Sequence, residues 1–502
     1  MTMRKKPRTR RFRRAVWIWT AAVVLGCAAP QSRPRLPAQD RPAECAALYR
    51  NLDRWVDTEK VRNAAGFRVP GFPYLRTDRY IAAVGDRVHT PQQLRQWLRW
   101  MRALEREMRW AEVRNLSDSA VASLAREAAT AADRSDLMER IAECGDALLA
   151  SDRSMAEFSD ALSAAAKAPD EYRTLYRALG LYPLAAVPVD FLTERVRNEF
   201  RKWFETPLQD LSTRGEIVSY AHREPHRMPP PDTAALFAEA VDNPLALPKL
   251  TEQQAERLAA AYAPVFQVDE AAGYDRPGRV VWEDGRIRID PADPVVYYYA
   301  GVAFLGGLPV LQIHYSIWFS ERGGPDPPWI EKGPLDGLTL RISFDQSGRP
   351  RMIDGMNTCG CYHFFIPPDD PGVTALPQSA TTDAFVPQRM PESFPDHSLL
   401  LRISSGWHQI QRVATAPPAL FHRSYRLVPY AHLESLPDGG GRSSLFDENG
   451  IAKDSARIEP LFLFPLGVPS VGSMRQRGHH AIVFIGRAHF SDPYLFDRFF
   501  RF

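Results

Sequence analysis

Beyond residue 25 the sequence lacks any apolar run of the about 20 residues that a helix needs to cross a bilayer. The signatures HExxH, GxxxxGKS/T, GxSxG and SxxK are also missing, which argues against the commonest zinc hydrolases, nucleotide enzymes and serine hydrolases. No internal repeat is visible. Cysteine is scarce, with only Cys27, Cys45, Cys144, Cys359 and Cys361. Acidic residues are absent before Asp40, whereas Arg and Lys supply eight of the first fourteen positions. An apolar run follows, Ala15 to Leu25, broken only by Thr20. A basic start and a short apolar core predict a secretory signal rather than a membrane span.

That run ends in Val24-Leu25-Gly26-Cys27, which resembles the lipobox of bacterial lipoprotein precursors. The resemblance implies cleavage before Cys27 and lipidation of its thiol, and therefore a membrane held through a lipid anchor as the first partner. Ala28 stands where many inner-membrane lipoproteins carry aspartate, so the resemblance also implies an outer-membrane destination. Removing residues 1–26 takes eight positive charges from a formal +3 and leaves −5. The basic balance belongs to the leader, and nucleic acid is not expected as a partner.

The expected organisation is a leader (1–26), a Pro-rich tether (27–41), a helical domain (42–226), a Pro-rich linker (227–250) and a β-rich domain (251–502). The fold class expected is α+β, with the second half a mainly antiparallel β-sandwich-like or strongly twisted sheet. Thr90-Pro91-Gln92-Gln93 is a helix start. Leu94, Trp97, Leu98, Met101, Leu104 and Met108 follow as one apolar stripe, with Arg and Glu covering the other face. Strands are predicted over 295–304, 310–319, 338–344, 359–366, 399–413 and 481–485, all rich in β-branched and aromatic residues. With Cys27 set aside, four cysteines remain, two in each half, which favours a Cys45–Cys144 disulfide.

The most distinctive local feature is Cys359-Gly360-Cys361-Tyr362-His363. In a strand, Cys359, Cys361 and His363 would project from one face. Two thiolates and an imidazole suit a soft or borderline ion such as zinc or copper, with His314, His480 or His489 completing the set. Two other readings stay open. Cys359 and Cys361 could instead form a disulfide if the chain turns at Gly360, or one thiol could act as a nucleophile with His363 or His314. Asp336 and Asp354 would be the groups to orient a histidine, although each precedes a glycine in what reads as a turn. Gly478-His479-His480, Arg487 and His489 read as a polar rim.

Three phrases, Gly71–Arg76, Cys359–His363 and Met474–Pro493, resemble stretches of uncharacterised proteobacterial lipoproteins. That likeness implies no particular activity. The function expected is a lipid-anchored envelope protein with a binding or scaffolding role. Its alternatives are a metal- or cysteine-dependent hydrolase of an envelope substrate and an envelope-protein partner in export or surface assembly.

Overall fold

The computed structural model describes residues 42–131, 133–223, 228–377, 383–417 and 423–502. The leader, Cys27 and the tether lie outside these residues. The α+β division holds: helices lie mostly in the N-terminal half, and a large, mainly antiparallel sheet fills the C-terminal half.

The first half opens with α1 (Ala43–Thr58), the hairpin β1 (Phe67–Val69) and β2 (Phe72–Thr77), and α2 (Arg79–Val84). The helices α3 (Pro91–Asn115), α4 (Asp118–Glu127), α5 (Arg134–Asp152) and α6 (Phe158–Ala165) follow. Helix α3 begins where the sequence places it. Thr90 Oγ1 accepts from the Gln93 N–H (3.2 Å), and Gln93 Oε1 accepts from the Thr90 N–H (3.1 Å). Trp97, Leu98, Met101 and Met108 are buried as expected. The charged face differs from expectation, because Glu105, Arg109 and Glu112 are buried too. Helix α1 and strand β2 supply their counter-charges: Arg76 Nη2 donates to both carboxylate oxygens of Glu112 (2.7 and 2.8 Å), and Arg109 lies 2.9 Å from Asp53 and from Glu112. Cys45 in α1 and Cys144 in α5 are disulfide-bonded, with an S–S distance of 2.07 Å.

The chain then forms α7 (Thr174–Leu179) and α8 (Tyr182–Glu205) before its first long strand, β3 (Glu216–His222). This strand lies inside the segment expected to be helical, yet it sits in the middle of the large sheet. The segment 227–250, read as linker, contains α9 (Pro230–Ala240), which buries Thr233, Leu236, Phe237 and Ala240. Next come α10 (Glu252–Ala261), β4 (Val265–Glu270) and the hairpin β5 (Arg279–Glu283) and β6 (Arg286–Asp290). The long strands are β7 (Val295–Leu305), β8 (Leu308–Arg322), β9 (Gly333–Phe344) and β10 (Pro350–Asn357). They are followed by β11 (Phe364–Ile366), β12 (Thr374–Ala375), β13 (Leu399–Ile403), β14 (Ile410–Thr415) and β15 (Arg423–Pro429).

The large sheet has the order β11-β10-β9-β8-β7-β15-β3-β4-β13-β14, with parallel pairing only at β7/β15, β15/β3 and β4/β13. Odd positions of β8 (Leu311, Ile313, Tyr315, Ile317, Phe319) share one core with residues of β3, β4 and β13 and with Phe200 and Phe204 of α8. The two wings of the sheet therefore close over a common interior. The expected strand 359–366 survives only as Phe364–Ile366, and 481–485 contributes only an isolated Ala481–His489 bridge.

Two stability outcomes follow. Removing the disulfide with Cys45→Ser opens a loop of about 100 residues, and the chain-entropy relation gives a loss of roughly 4–5 kcal/mol in urea unfolding. Glu112→Gln leaves Arg76 and Arg109 short of counter-charge, and should cost about 3–5 kcal/mol by the same measurement.

Candidate functional site

Strand side chains alternate between faces, so the even positions of β8 point away from the shared core. Gln312, His314, Ser316 and Trp318 occupy that second face, and all are buried. Cross-strand register places Tyr299 beside His314, His314 beside Arg341, Arg341 beside Asp354, and Asp354 beside Phe365. A polar row thus crosses four strands and ends against Phe365 on the fifth, enclosed under the C-terminal segment.

Arg341 is its centre. Its Nε and Nη2 donate to the two oxygens of Asp354 (2.8 and 2.5 Å), and its Nη1 donates to the Phe490 carbonyl (2.5 Å). The guanidinium carbon stands 3.9 Å above the Phe490 ring. His363 Nε2–H donates to Asp354 Oδ2 (2.9 Å). His314 stacks flat on Tyr299, with centroids 4.0 Å apart. His314, His363 and His480 all meet the Phe490 ring edge to face, with centroids 5.6–6.2 Å away. Of the histidines predicted as metal ligands, His314, His363 and His480 are therefore gathered, but around an aromatic ring, while His489 lies against Tyr172. Nδ1 of His314 and Nε2 of His480 are buried without a hydrogen-bond partner.

The thiols go elsewhere. Strand β10 ends at Asn357, and 358–363 is a turn in which Gly360 has φ +93°. The Gly360 N–H donates to the Asn357 carbonyl (2.7 Å), and the Asn357 N–H donates to the Cys361 carbonyl (3.0 Å). A Cβ at Gly360 would stand 2.4 Å from the Ala481 carbonyl oxygen, so the turn requires glycine. Because this is a turn, strand alternation does not apply, and the expected shared face of Cys359, Cys361 and His363 is not formed. Cys359 packs with Trp318, Leu335 and Met474, whereas His363 reaches Asp354. Both thiols are free, and the Cys361 N–H donates to Cys359 Sγ (3.4 Å). Among the described residues, no three His, Cys, Asp or Glu side chains are placed to hold a metal ion. The zinc or copper centre expected from Cys359, Cys361, His363, His314 and His480 is not assembled.

Tyr362 links the same turn to a second buried network. Its hydroxyl donates to Glu331 Oε1 (2.5 Å), and Trp407 Nε1 donates to Glu331 Oε2 (2.9 Å). Arg322 donates to Glu331 (2.7 Å) and to both oxygens of Asp336 (2.9 Å each). His408 donates through Nδ1 to Asp336 (2.9 Å), lies 3.3 Å from Asp275 through Nε2, and stacks on Phe319 with centroids 3.9 Å apart. Burial disfavours the charge on His408, but its bonds to Asp275 and Asp336 outweigh this and raise its pKa. Burial also opposes ionisation of Asp336, yet Arg322 and His408 hold its pKa far below the usual range. Asp336 and Asp354 each orient a histidine, as the sequence suggested. Both lie within strands rather than turns, and the glycines after them serve close packing: a Cβ at Gly337 would meet the Ile317 carbonyl oxygen at 2.7 Å.

Around the thiols, hydrogen bonding from Cys361 lowers the Cys359 pKa against burial, with Arg322 helping. Burial pushes Glu459 up to about 8, with Cys359 and Glu331 adding to the shift. Of the segment read as a rim, His479, His480 and His489 are buried, whereas Arg487 stays exposed. His479 Nδ1 lies 3.0 Å from Glu171, and Nε2–H donates to the Ala64 carbonyl (2.7 Å). His489 accepts from the Glu171 N–H (3.3 Å). These histidines fasten the C-terminal segment to the helical half. A cleft of about 430 Å³ lined by Arg79, Trp97, Lys167 and Asp492 contains none of the predicted site residues. Sequence reading missed Arg341 and Arg322. The signal was available: Gln312-x-His314-x-Ser316 and Thr339-x-Arg341-x-Ser343 set polar residues at period two inside apolar strands.

Burial lowers the pKa of His314 and His363, that of His480 to about 3 and that of His489 to about 4. The unfolded chain binds more protons than the folded one between about pH 6.5 and 4, so stability falls with pH across that window, by up to about 1.4 kcal/mol per pH unit for each histidine. His408 has the opposite sign: its contribution is present below about pH 6.5 and is lost as pH rises through its raised pKa. The urea midpoint is expected to drop steeply from pH 6.5 to 4.5, and less steeply in His480→Gln. An unchanged midpoint over that range would contradict the buried neutral histidines. Compared with protein-family models, with curated proteins and with solved structures, the chain matches none.

Proposed function

We propose that the chain is an exported cell-envelope lipoprotein, anchored through Cys27 and acting by binding or scaffolding. The observation that carries this reading is the Cys45–Cys144 bond between α1 and α5. Structural disulfides persist in oxidising compartments and are rare where thiols are kept reduced. A basic leader, a lipobox-like tetrapeptide and a disulfide-braced body are mutually consistent features of an exported protein. The two buried networks support binding rather than turnover, because their charged groups are spent on one another: Arg341 on Asp354, and Arg322 on Asp336 and Glu331. The outer membrane is the destination that Ala28 suggests.

A second reading, cysteine-dependent chemistry, is favoured by one observation. Cys359 has a lowered pKa beside Glu459, a carboxyl raised to about 8, and such a pair offers a thiolate and a proton donor together. In this reading the turn opens for substrate.

Labelling with a radioactive fatty acid should mark the wild-type protein and leave Cys27→Ala unmarked, with the labelled form in the outer-membrane fraction. Equal labelling of both would overturn the anchor. Peptide mapping without reduction should recover the Cys45–Cys144 pair from exported protein. For the second reading, iodoacetamide at pH 7 should modify Cys359 in the folded protein, and no more slowly in Glu459→Gln, whose neutral amide cannot repel the thiolate. Modification only after unfolding would remove it.

A further inference from the structure

Helices α7 and α8 form a hairpin that the body barely covers. Helix α7 buries no residue, and α8 buries only Phe200 and Phe204, near its C-terminal end. From Ala178 to Val189 (ALGLYPLAAVPV) the hairpin carries no charge. Leu184, Val187 and Phe191 follow at helical spacing on its outer face, 72%, 68% and 71% exposed. Gly180 packs against Pro465, and the Arg177 side chain donates to the Leu466 carbonyl (2.8 Å). Those contacts bring Leu461, Phe462 and Phe464 of the neighbouring short helix α11 (Pro460–Leu463) and the turn after it into the same surface. Trp329 continues it, edge to face with Phe462 at 5.9 Å. Thirteen of the sixteen exposed large apolar residues among those described fall in residues 175–192, in residues 458–464 or at Trp329.

Four of its aromatic side chains, Phe191, Trp329, Phe462 and Phe464, alone leave roughly 450 Å² bare, as much as the largest apolar patch of a typical monomer. A protein interface of this size would carry polar groups to bond across it. Here Tyr182 has the only polar side chain between Ala178 and Val189, and its hydroxyl already accepts from the Gly486 N–H (2.9 Å). Arg177 and Asp190 mark the ends of the uncharged stretch, and Tyr176 and Trp329 add the amphipathic aromatics favoured at a membrane–water boundary. Fifteen residues lie between Cys27 and Ala43, so a lipidated Cys27 keeps α1 within about 55 Å of the bilayer. That tether raises the effective concentration of the apolar surface at the membrane.

We infer that the α7–α8 hairpin and α11 form a lipid-docking surface that lays the folded body against a phospholipid bilayer. The lipid anchor proposed above sets only how near the bilayer stands; the docking face belongs to the folded body. The apolar side chains enter the headgroup–acyl boundary, and the charged second half of α8 stays in water.

The test severs the anchor. The mature protein, with a protease site placed between residues 28 and 41, is mixed with phosphatidylethanolamine–phosphatidylglycerol vesicles, cut, and floated on a density gradient. The released body is expected to float with the vesicles, and the Leu184→Asp/Phe191→Asp body to fall at least tenfold in its bound fraction with an unchanged thermal melt. Release of the wild-type body into the soluble fraction would overturn the inference, with sedimentation then showing whether a second copy covers the surface. Equal flotation of the double variant would also overturn it. Failure of lipidation itself reads differently: no fatty acid is found on the uncut chain, while the severed body still floats.

Discussion

The bidentate pair of Arg341 and Asp354 is the contact on which the second half depends. Both groups are fully buried in adjacent, non-edge strands, where each alone would carry several kcal/mol of uncompensated desolvation. Together they satisfy each other, and the remaining capacity is filled by His363 on the carboxylate and by the Phe490 carbonyl on the guanidinium. The pair therefore needs two segments distant in sequence, the 358–363 turn and the C-terminal segment, to be in place. That requirement explains why a stretch with little regular secondary structure, 467–493, is nonetheless largely buried. It is held by the guanidinium to which it offers a carbonyl and by the aromatic ring it inserts.

The same logic joins the two halves. Their contact is polar as well as apolar: Asn63 Nδ2 donates to Glu434 (2.9 Å), Gln476 donates to Asn63 Oδ1 (2.8 Å), and Arg477 bridges Glu434 and Glu107. Glu171 gathers His479 and Arg79. Polar interfaces of this kind are specific in direction and register, because each displaced partner leaves a buried group unpaired. The C-terminal segment takes part in both networks, so the order of the second face and the docking of the halves are coupled.

Much of this was legible from local pattern. The capping box at Thr90, the apolar stripe of α3, the long strands and the Cys45–Cys144 pairing each rest on short-range chemistry or on residue pairing by half. What failed were inferences that needed tertiary context. Glu216–His222 was absorbed into the helical half because seven residues flanked by helices give little periodic signal, and its pairing partners, β4 and β15, come much later in the chain. Cys359–His363 was read as strand from composition, yet the close approach of the Ala481 carbonyl forces a left-handed glycine there. The burial of Glu105, Arg109 and Glu112 was hidden because a charged helix face normally means solvent, and only the counter-charges on α1 and β2 reverse that inference.

The apolar α7–α8 hairpin contrasts with all of this. Elsewhere the protein matches buried charge with buried charge, whereas here apolar side chains are left uncovered over an uncharged stretch of twelve residues. A helix retained for its own stability would turn that face inward, since tertiary packing supplies most helical stability in a globular protein. Helix α8 does so only at Phe200 and Phe204, which plug the shared core beside Phe364 and Trp407. One helix thus carries an uncharged, largely uncovered segment and a charged segment that is anchored in the core. Its C-terminal turns pack on the shared core, while its N-terminal turns, held to the body by Gly180 against Pro465 and by the Tyr182 hydroxyl, leave Leu184, Val187 and Phe191 exposed.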